Sequence, residues 1–75
     1  MKRAGDVVRT AQGLAVVRCP DGDHAKMGAA VVDERLDDVG RVVDVFGPVE
    51  RPYLAVTPDG DADAAPLLGA TLYVR

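Results

Sequence analysis

Histidine and cysteine, which often supply the general base, the nucleophile or a metal ligand, are scarce in this chain of 75 residues. His24 is the only histidine, and it lies in the acidic segment DGDHAK. A general base or a metal site at His24 would need several partner side chains from elsewhere in the chain. We therefore expect His24 to be exposed and to have no catalytic role.

Cys19 is the only cysteine, so the chain cannot form an internal disulfide. We expect it to be a small residue at the end of a strand. No serine or cysteine is paired with a base for nucleophilic attack, and no glycine loop precedes a helix to bind phosphate. The sequence therefore predicts no enzyme, no cofactor and no small-molecule ligand.

One acidic segment has part of the spacing of a calcium loop. Asp59, Asp61 and Asp63 alternate as in the first half of an EF-hand loop. The position that requires glycine holds Ala64, and the position of the closing bidentate acid holds Ala70. We expect a solvated acidic turn here and no metal site.

The elements that would position these residues are short apolar runs separated by Gly, Pro and Asp. Valine occupies most apolar positions and only three residues are aromatic, which favours strands. Candidate strands cover about residues 6–10, 14–19, 29–33, 39–46, 53–57 and 71–75. We predict one all-β domain over residues 1–75, a small closed six-stranded antiparallel barrel of the reductase/isomerase/elongation-factor type. A helical turn is expected within residues 65–69.

Charge and hydropathy narrow the possible partners. Acidic residues outnumber basic ones by 12 to 9, and the net charge of −3 disfavours binding of bare nucleic acid. Ten aspartates against two glutamates, with only two lysines, are consistent with a salt-adapted protein. No apolar stretch is long enough for a membrane span, and the first residues do not form a secretory signal. We expect a cytoplasmic protein.

Residues 40–53, GRVVDVFGPVERPY, combine valines, the only phenylalanine and two prolines. Strand alternation assigns Leu54 and Val56, and likewise Leu72 and Val74, to the core. Alternation over residues 41–46 leaves two sets, of which one faces inward. These sets are Arg41, Val43 and Val45 on one face, and Val42, Asp44 and Phe46 on the other.

The position of Phe46 has two alternatives. In the first, Phe46 lies outside the barrel beside Pro48 and Val49, an apolar surface that suits a partner protein. In the second, a bulge near Gly47 turns Phe46 inward, where it closes one end of the barrel. The prolines fix the direction of the chain in either case.

Residues 27–58 resemble the core of the GAR protein family, the glycine-arginine-rich-type subunits of H/ACA ribonucleoproteins, which are RNA-guided pseudouridine synthases. The most specific string is DVFGPV, followed after two residues by PY. The residues that match the family pattern are Gly28, Val32, Asp33, Gly40, Arg41, Val42, Asp44, Val45, Phe46, Gly47, Pro48, Val49, Pro52, Tyr53, Gly69, Leu72, Tyr73 and Val74.

The resemblance implies a non-catalytic barrel that docks on a dyskerin-like pseudouridine synthase subunit and influences the loop that holds substrate RNA. It implies that guide RNA is reached only through the complex, because the Gly/Arg-rich arms of eukaryotic members are lacking here, as in archaeal members. The expected partner-binding residues are Arg41, Asp44, Phe46, Gly47, Pro48, Val49, Arg51, Pro52 and Tyr53, with Glu50 in the polar rim.

Two other classes of protein remain open at this point. Residues 31–47 also resemble the photosynthetic-reaction-centre (PRC) type barrel and the related barrel of a ribosome-maturation factor, which implies an adaptor in rRNA processing. A single-strand RNA-binding barrel of the OB type would need stacked aromatic residues and a basic groove.

Overall fold

The computed structural model describes residues 2–60 and 62–75. Six strands follow one another: β1 (Lys2–Ala11), β2 (Leu14–Arg18), β3 (Ala30–Val32), β4 (Asp38–Phe46), β5 (Tyr53–Pro58) and β6 (Thr71–Val74). They close into a barrel in the order β1-β2-β5-β4-β3-β6, and every neighbouring pair is antiparallel. The predicted all-β closed six-stranded barrel is therefore confirmed.

The segments between strands agree with their turn-forming composition. A 3-10 turn spans Ala65–Leu67, inside residues 65–69, for which the sequence predicts a helical turn. Asp61, the middle aspartate of the calcium-like spacing, lies outside the described residues. Within the described part of the chain, no helix is long and apolar enough to cross a membrane.

β1 is the strand whose extent the sequence underestimates. It starts at Lys2, in a charged segment without apolar alternation, because its first half pairs with β6 and its second half with β2. Gly5 makes this change of partner possible. Its φ is +144°, and a Cβ at this position would lie 2.1 Å from the carbonyl oxygen of Arg18. Since β1 joins the two ends of the sheet, the close approach at Gly5 is part of barrel closure.

The core is built from small and branched aliphatic side chains on the inner faces of the strands. Leu54 and Val56 of β5 are fully buried, as is Leu72 of β6, and Val74 packs against the same cluster. The inward faces predicted for β5 and β6 are therefore confirmed. Ala55 is also nearly buried, although it lies on the outer face between Val16 and Asp44.

Leu54→Ala is expected to destabilise the barrel by about 2–5 kcal/mol, through lost burial and a residual cavity. A chain of this size has a total stability of roughly 4–11 kcal/mol, so the loss is a large fraction of it. Urea unfolding followed by circular dichroism measures the change. An unchanged midpoint would mean that Leu54 does not occupy the centre of the core.

Strict alternation in β4 proves wrong, because the strand contains a bulge. The pairing with β5 shifts between Val42 and Asp44, so that Val42 lies opposite Val56 and Val45 opposite Leu54. Both valines therefore face the interior, although they belong to different alternation sets. Phe46 then pairs with Tyr53 and faces outward. The bulge lies before Phe46 rather than near Gly47, and the alternative in which Phe46 closes the end of the barrel is excluded.

A hydrogen bond between side chains joins β1 to β6, the two strands at the ends of the barrel order. The Asp6 carboxylate accepts hydrogen bonds from Arg3 Nη2 at 2.8 and 2.9 Å and from Thr71 Oγ1 at 2.8 Å. The hydrogen bond from Arg3, followed by that from Thr71, lowers the pKa of Asp6 below its ordinary value. The carboxylate form therefore binds its partners better in the folded barrel than in the unfolded chain.

The lowered pKa of Asp6 predicts a loss of stability in acid. Its contribution is complete above the ordinary carboxyl pKa of about 3.9 and disappears as the pH falls through the lower folded value. The effect is small because the Asp6 and Arg3 side chains are 45% and 50% exposed. Asp6→Asn should lower the unfolding midpoint slightly at neutral pH, and the gap to the wild type should close below about pH 4. A gap that is constant across this range would contradict the assignment.

Candidate functional site

The connection between β4 and β5, residues 47–52, forms a sharp bend that we call the proline bend. The Arg51 N–H donates to the Pro48 carbonyl oxygen at 3.2 Å and closes the turn. Gly47 has a φ of +91°, and a Cβ there would lie 2.8 Å from Cδ2 of the Tyr53 ring. Glycine is required at this position because any side chain would displace Tyr53.

Two hydrogen bonds attach the proline bend to the residue that follows β2. Arg51 Nε donates to the Cys19 carbonyl oxygen at 2.9 Å, and the Cys19 N–H donates to the Pro52 carbonyl oxygen at 3.0 Å. Pro52 is buried, and Cys19 is a buried free cysteine, as expected for a small strand-end residue. Burial raises the pKa of the Cys19 thiol, which therefore stays protonated and unreactive at neutral pH.

An aromatic pair stands on the outer surface beside the proline bend. The rings of Phe46 and Tyr53 stack with centroids 5.6 Å apart and an interplanar angle of 21°. Phe46 is 37% exposed and Val49, at the tip of the bend, is 88% exposed. We call Phe46, Pro48, Val49 and Tyr53 the bend patch. It presents apolar surface at a position where the backbone is held by hydrogen bonds.

A shallow groove of about 210 Å³ lies next to the bend patch. One wall comes from the β2–β3 connection, and the other from residues 45–49 and Pro52. This volume is below the roughly 300–1,000 Å³ that is usual for small-molecule sites. The groove is therefore better matched to a single side chain of a partner than to a metabolite.

Gly22 and His24 line this groove, and sequence reasoning did not place them in the site. A Cβ on Gly22 would lie 3.0 Å from the Val49 carbonyl oxygen, so the two loops are in close contact. His24 is exposed, with Nδ1 2.7 Å from the Ala25 carbonyl oxygen. No local pattern could have indicated this placement, because it depends on contact between two distant loops.

The polar residues expected around the site are distributed unevenly. Asp44 Oδ1 accepts the Val45 N–H at 2.8 Å and so stabilises the bulge of its own strand. Glu50 is exposed at the proline bend. Arg41 donates to the Gly28 carbonyl oxygen at 3.2 Å and lines a separate groove with Asp38 and Asp59, among others. It lies five positions before Phe46 in β4, and because of the bulge these correspond to four positions of β5, roughly 14 Å along the strand.

The described residues contain no group of three or more His, Cys, Asp or Glu side chains that could hold a metal ion. The arrangement around the proline bend instead combines apolar surface, a backbone held in place and a few charges at the margin. These are properties of a surface that binds another macromolecule.

Comparisons with known proteins identify the fold. No protein-family model matches the sequence, and no curated protein matches it. A solved structure described as the Gar1 domain of NAf1 is similar, with a TM-score of 0.72 and 18% sequence identity. The match covers 99% of this chain and 81% of the other. At this level of identity the likeness shows the fold alone: this chain folds into a barrel similar to that of the Gar1 domain.

Proposed function

We propose that this chain is a non-catalytic subunit of an H/ACA ribonucleoprotein, which docks on the pseudouridine synthase subunit through the bend patch. The observation that carries the proposal is the outward Phe46–Tyr53 stack on a barrel of the Gar1-domain type. The string DVFGPVERPY, on which the resemblance to GAR proteins depends, forms the end of β4, the proline bend and the first residue of β5.

The rigidity of the proline bend favours a docking role. Its turn is closed by the hydrogen bond from Arg51 to Pro48, and the two contacts with Cys19 attach it to the body of the barrel. A surface that is already ordered loses little conformational entropy when a partner covers it. A modest apolar patch of this kind can therefore support a stable complex.

The proposed effect on the synthase is a shift between two positions of its substrate-RNA loop. A barrel that binds one position of the loop more tightly moves the equilibrium by that difference in affinity and by no more. In this mechanism the barrel supplies no reacting group. Guide RNA enters the complex through the synthase subunit and is not a direct ligand of the barrel.

A gel-shift assay tests the proposal with the intact chain. We expect the barrel to leave the mobility of an H/ACA guide RNA unchanged and to supershift the complex of guide RNA with the synthase subunit. Adding one equivalent of the barrel to this complex should then change the rate of multiple-turnover pseudouridylation. A shift with guide RNA alone, or no association with the synthase, would contradict the proposal.

A further inference from the structure

The outer face of β1 and β2 carries two neighbouring arginines close to the bend patch. Val17 is buried, so Val16 and Arg18 on either side of it point outward. Arg9 lies opposite Val16 in the pairing of β1 with β2. Arg9 and Arg18 are therefore diagonal neighbours on one face, a relation in which Cα atoms are about 7–8 Å apart. Both side chains are exposed.

Strand pairing connects these arginines with the bend patch. Arg18 lies opposite Tyr53, which in turn lies opposite Phe46. In the adjacent row, Val16 lies opposite Ala55, and their exposures are only 4% and 6%. These two side chains therefore offer a partner almost no surface, and the accessible groups of the face are Arg9, Arg18 and Tyr53.

Arg9 and Arg18 have no ion pair and no side-chain hydrogen bond with any residue in the described part of the chain. Other basic residues are engaged: Lys2, Arg3, Arg35 and Arg75 with aspartates, Arg41 and Arg51 with carbonyl oxygens. Lys26, also without such a contact, lies in the β2–β3 connection outside this face.

The acidic groups nearest to this face already have partners. Asp6 is opposite Arg18, but its oxygens accept hydrogen bonds from Arg3 and Thr71. Asp44, beside Ala55, accepts the N–H of Val45 but has no ion pair among the described residues, so it keeps its negative charge on this face. In a chain with 12 acidic and 9 basic residues, two adjacent arginines beside one unpaired carboxylate form a local excess of positive charge, opposite in sign to the net charge.

We propose that this face extends the docking surface and binds an acidic, extended segment of the partner protein. Carboxylates of that segment would bind the guanidinium groups of Arg9 and Arg18, whose planar geometry allows bidentate hydrogen bonds. An apolar side chain of the same segment would pack on the exposed part of Tyr53. The inference rests on the proposed function, since the partner is the same synthase subunit. RNA is the less favoured occupant, because two arginines release few counterions and the chain is acidic overall.

The test compares two variants that lose the same charge. Arg9→Gln/Arg18→Gln removes the two unpartnered arginines, whereas Arg35→Gln/Arg75→Gln removes two arginines that are paired with aspartates. Affinity for the synthase subunit is measured by titration calorimetry at about 0.1 M and about 1 M salt, where the Debye length falls from about 10 Å to about 3 Å. Circular dichroism verifies that each variant is folded.

We expect the first variant to bind about tenfold more weakly at low salt, with a smaller difference at high salt. The second should bind within about twofold of the wild type. Equal weakening in both variants, or none in the first, would overturn the inference while leaving the proposed function intact. The wild-type barrel alone could instead shift guide RNA in a gel, and the first variant could lose that shift. This result would assign the face to nucleic acid and overturn the inference. Failure of the wild type to bind the synthase would overturn both proposals.

Discussion

Gly5→Ala is expected to lower the unfolding temperature of the barrel sharply. An alanine Cβ would lie 2.1 Å from the carbonyl oxygen of Arg18 and 2.8 Å from its carbonyl carbon, and both are backbone atoms that cannot turn aside. The φ of +144° adds strain that only glycine avoids. Steric overlap and backbone strain together should cost about 3–5 kcal/mol. That is comparable with the total stability of a domain of this size, roughly 4–11 kcal/mol.

Thermal unfolding followed by circular dichroism measures this effect, and Gly13→Ala is the matched control. Gly13 also has a positive φ, of +80°, but a Cβ there meets nothing within 4 Å. The control should therefore show backbone strain alone, about 1–2 kcal/mol. If the two variants unfolded at the same temperature, the close approach of β1 to β2 at Gly5 would not be essential to barrel closure.

Phe46→Ala is expected to abolish most of the binding to the synthase subunit while the barrel remains folded. Phe46 faces outward and is partly exposed, so its truncation removes the stacking contact with Tyr53 but leaves the core intact. The loss of that contact should cost about 0.5–1.5 kcal/mol of stability. An aromatic residue at the centre of an interface typically contributes at least about 2 kcal/mol, or about 30-fold in affinity. Tyr53→Ala should have a similar effect, because it removes the other ring of the stack.

Leu68→Ala provides the control for the loss of exposed apolar surface. Leu68 is 60% exposed and lies in the β5–β6 connection, which leaves β5 at the end opposite the proline bend. The Leu68→Ala variant should bind the synthase and support pseudouridylation as well as the wild type does. Titration calorimetry and multiple-turnover assays give the two readouts. If the Phe46→Ala variant were folded and still supported full turnover, the bend patch would have no role in the mechanism.

Much of the fold follows from local sequence patterns. The positions of β2 to β6 follow from short valine-rich runs bounded by Gly, Pro and Asp, and the barrel follows from having six such strands in one small domain. The first half of β1 escapes prediction because Lys2, Arg3 and Asp6 interrupt any alternation of apolar residues. Its pairing with β6 is accompanied instead by a register shift between Arg3 and Gly5 and by the Asp6–Thr71 contact.

The candidate site was only partly predictable. The stiffness of the proline bend follows from Gly47, Pro48 and Pro52, whose conformational limits are properties of single residues. The exposure of Phe46 does not follow, because it depends on a bulge that the pairing of β4 with β5 creates. Likewise, no local signal separates Arg41 from the proline bend or brings His24 towards it.

The sequence by itself determined where the chain extends and where it turns, since valine alternation and the restricted backbone of glycine and proline act over a few residues. Only the tertiary structure decided which side chains share a surface: Phe46 with Tyr53, the β2–β3 connection with the proline bend, and Arg9 with Arg18. The physical reason is that each of these neighbours belongs to a different strand or loop. Their contact is set by strand pairing and barrel closure, which local preferences do not specify.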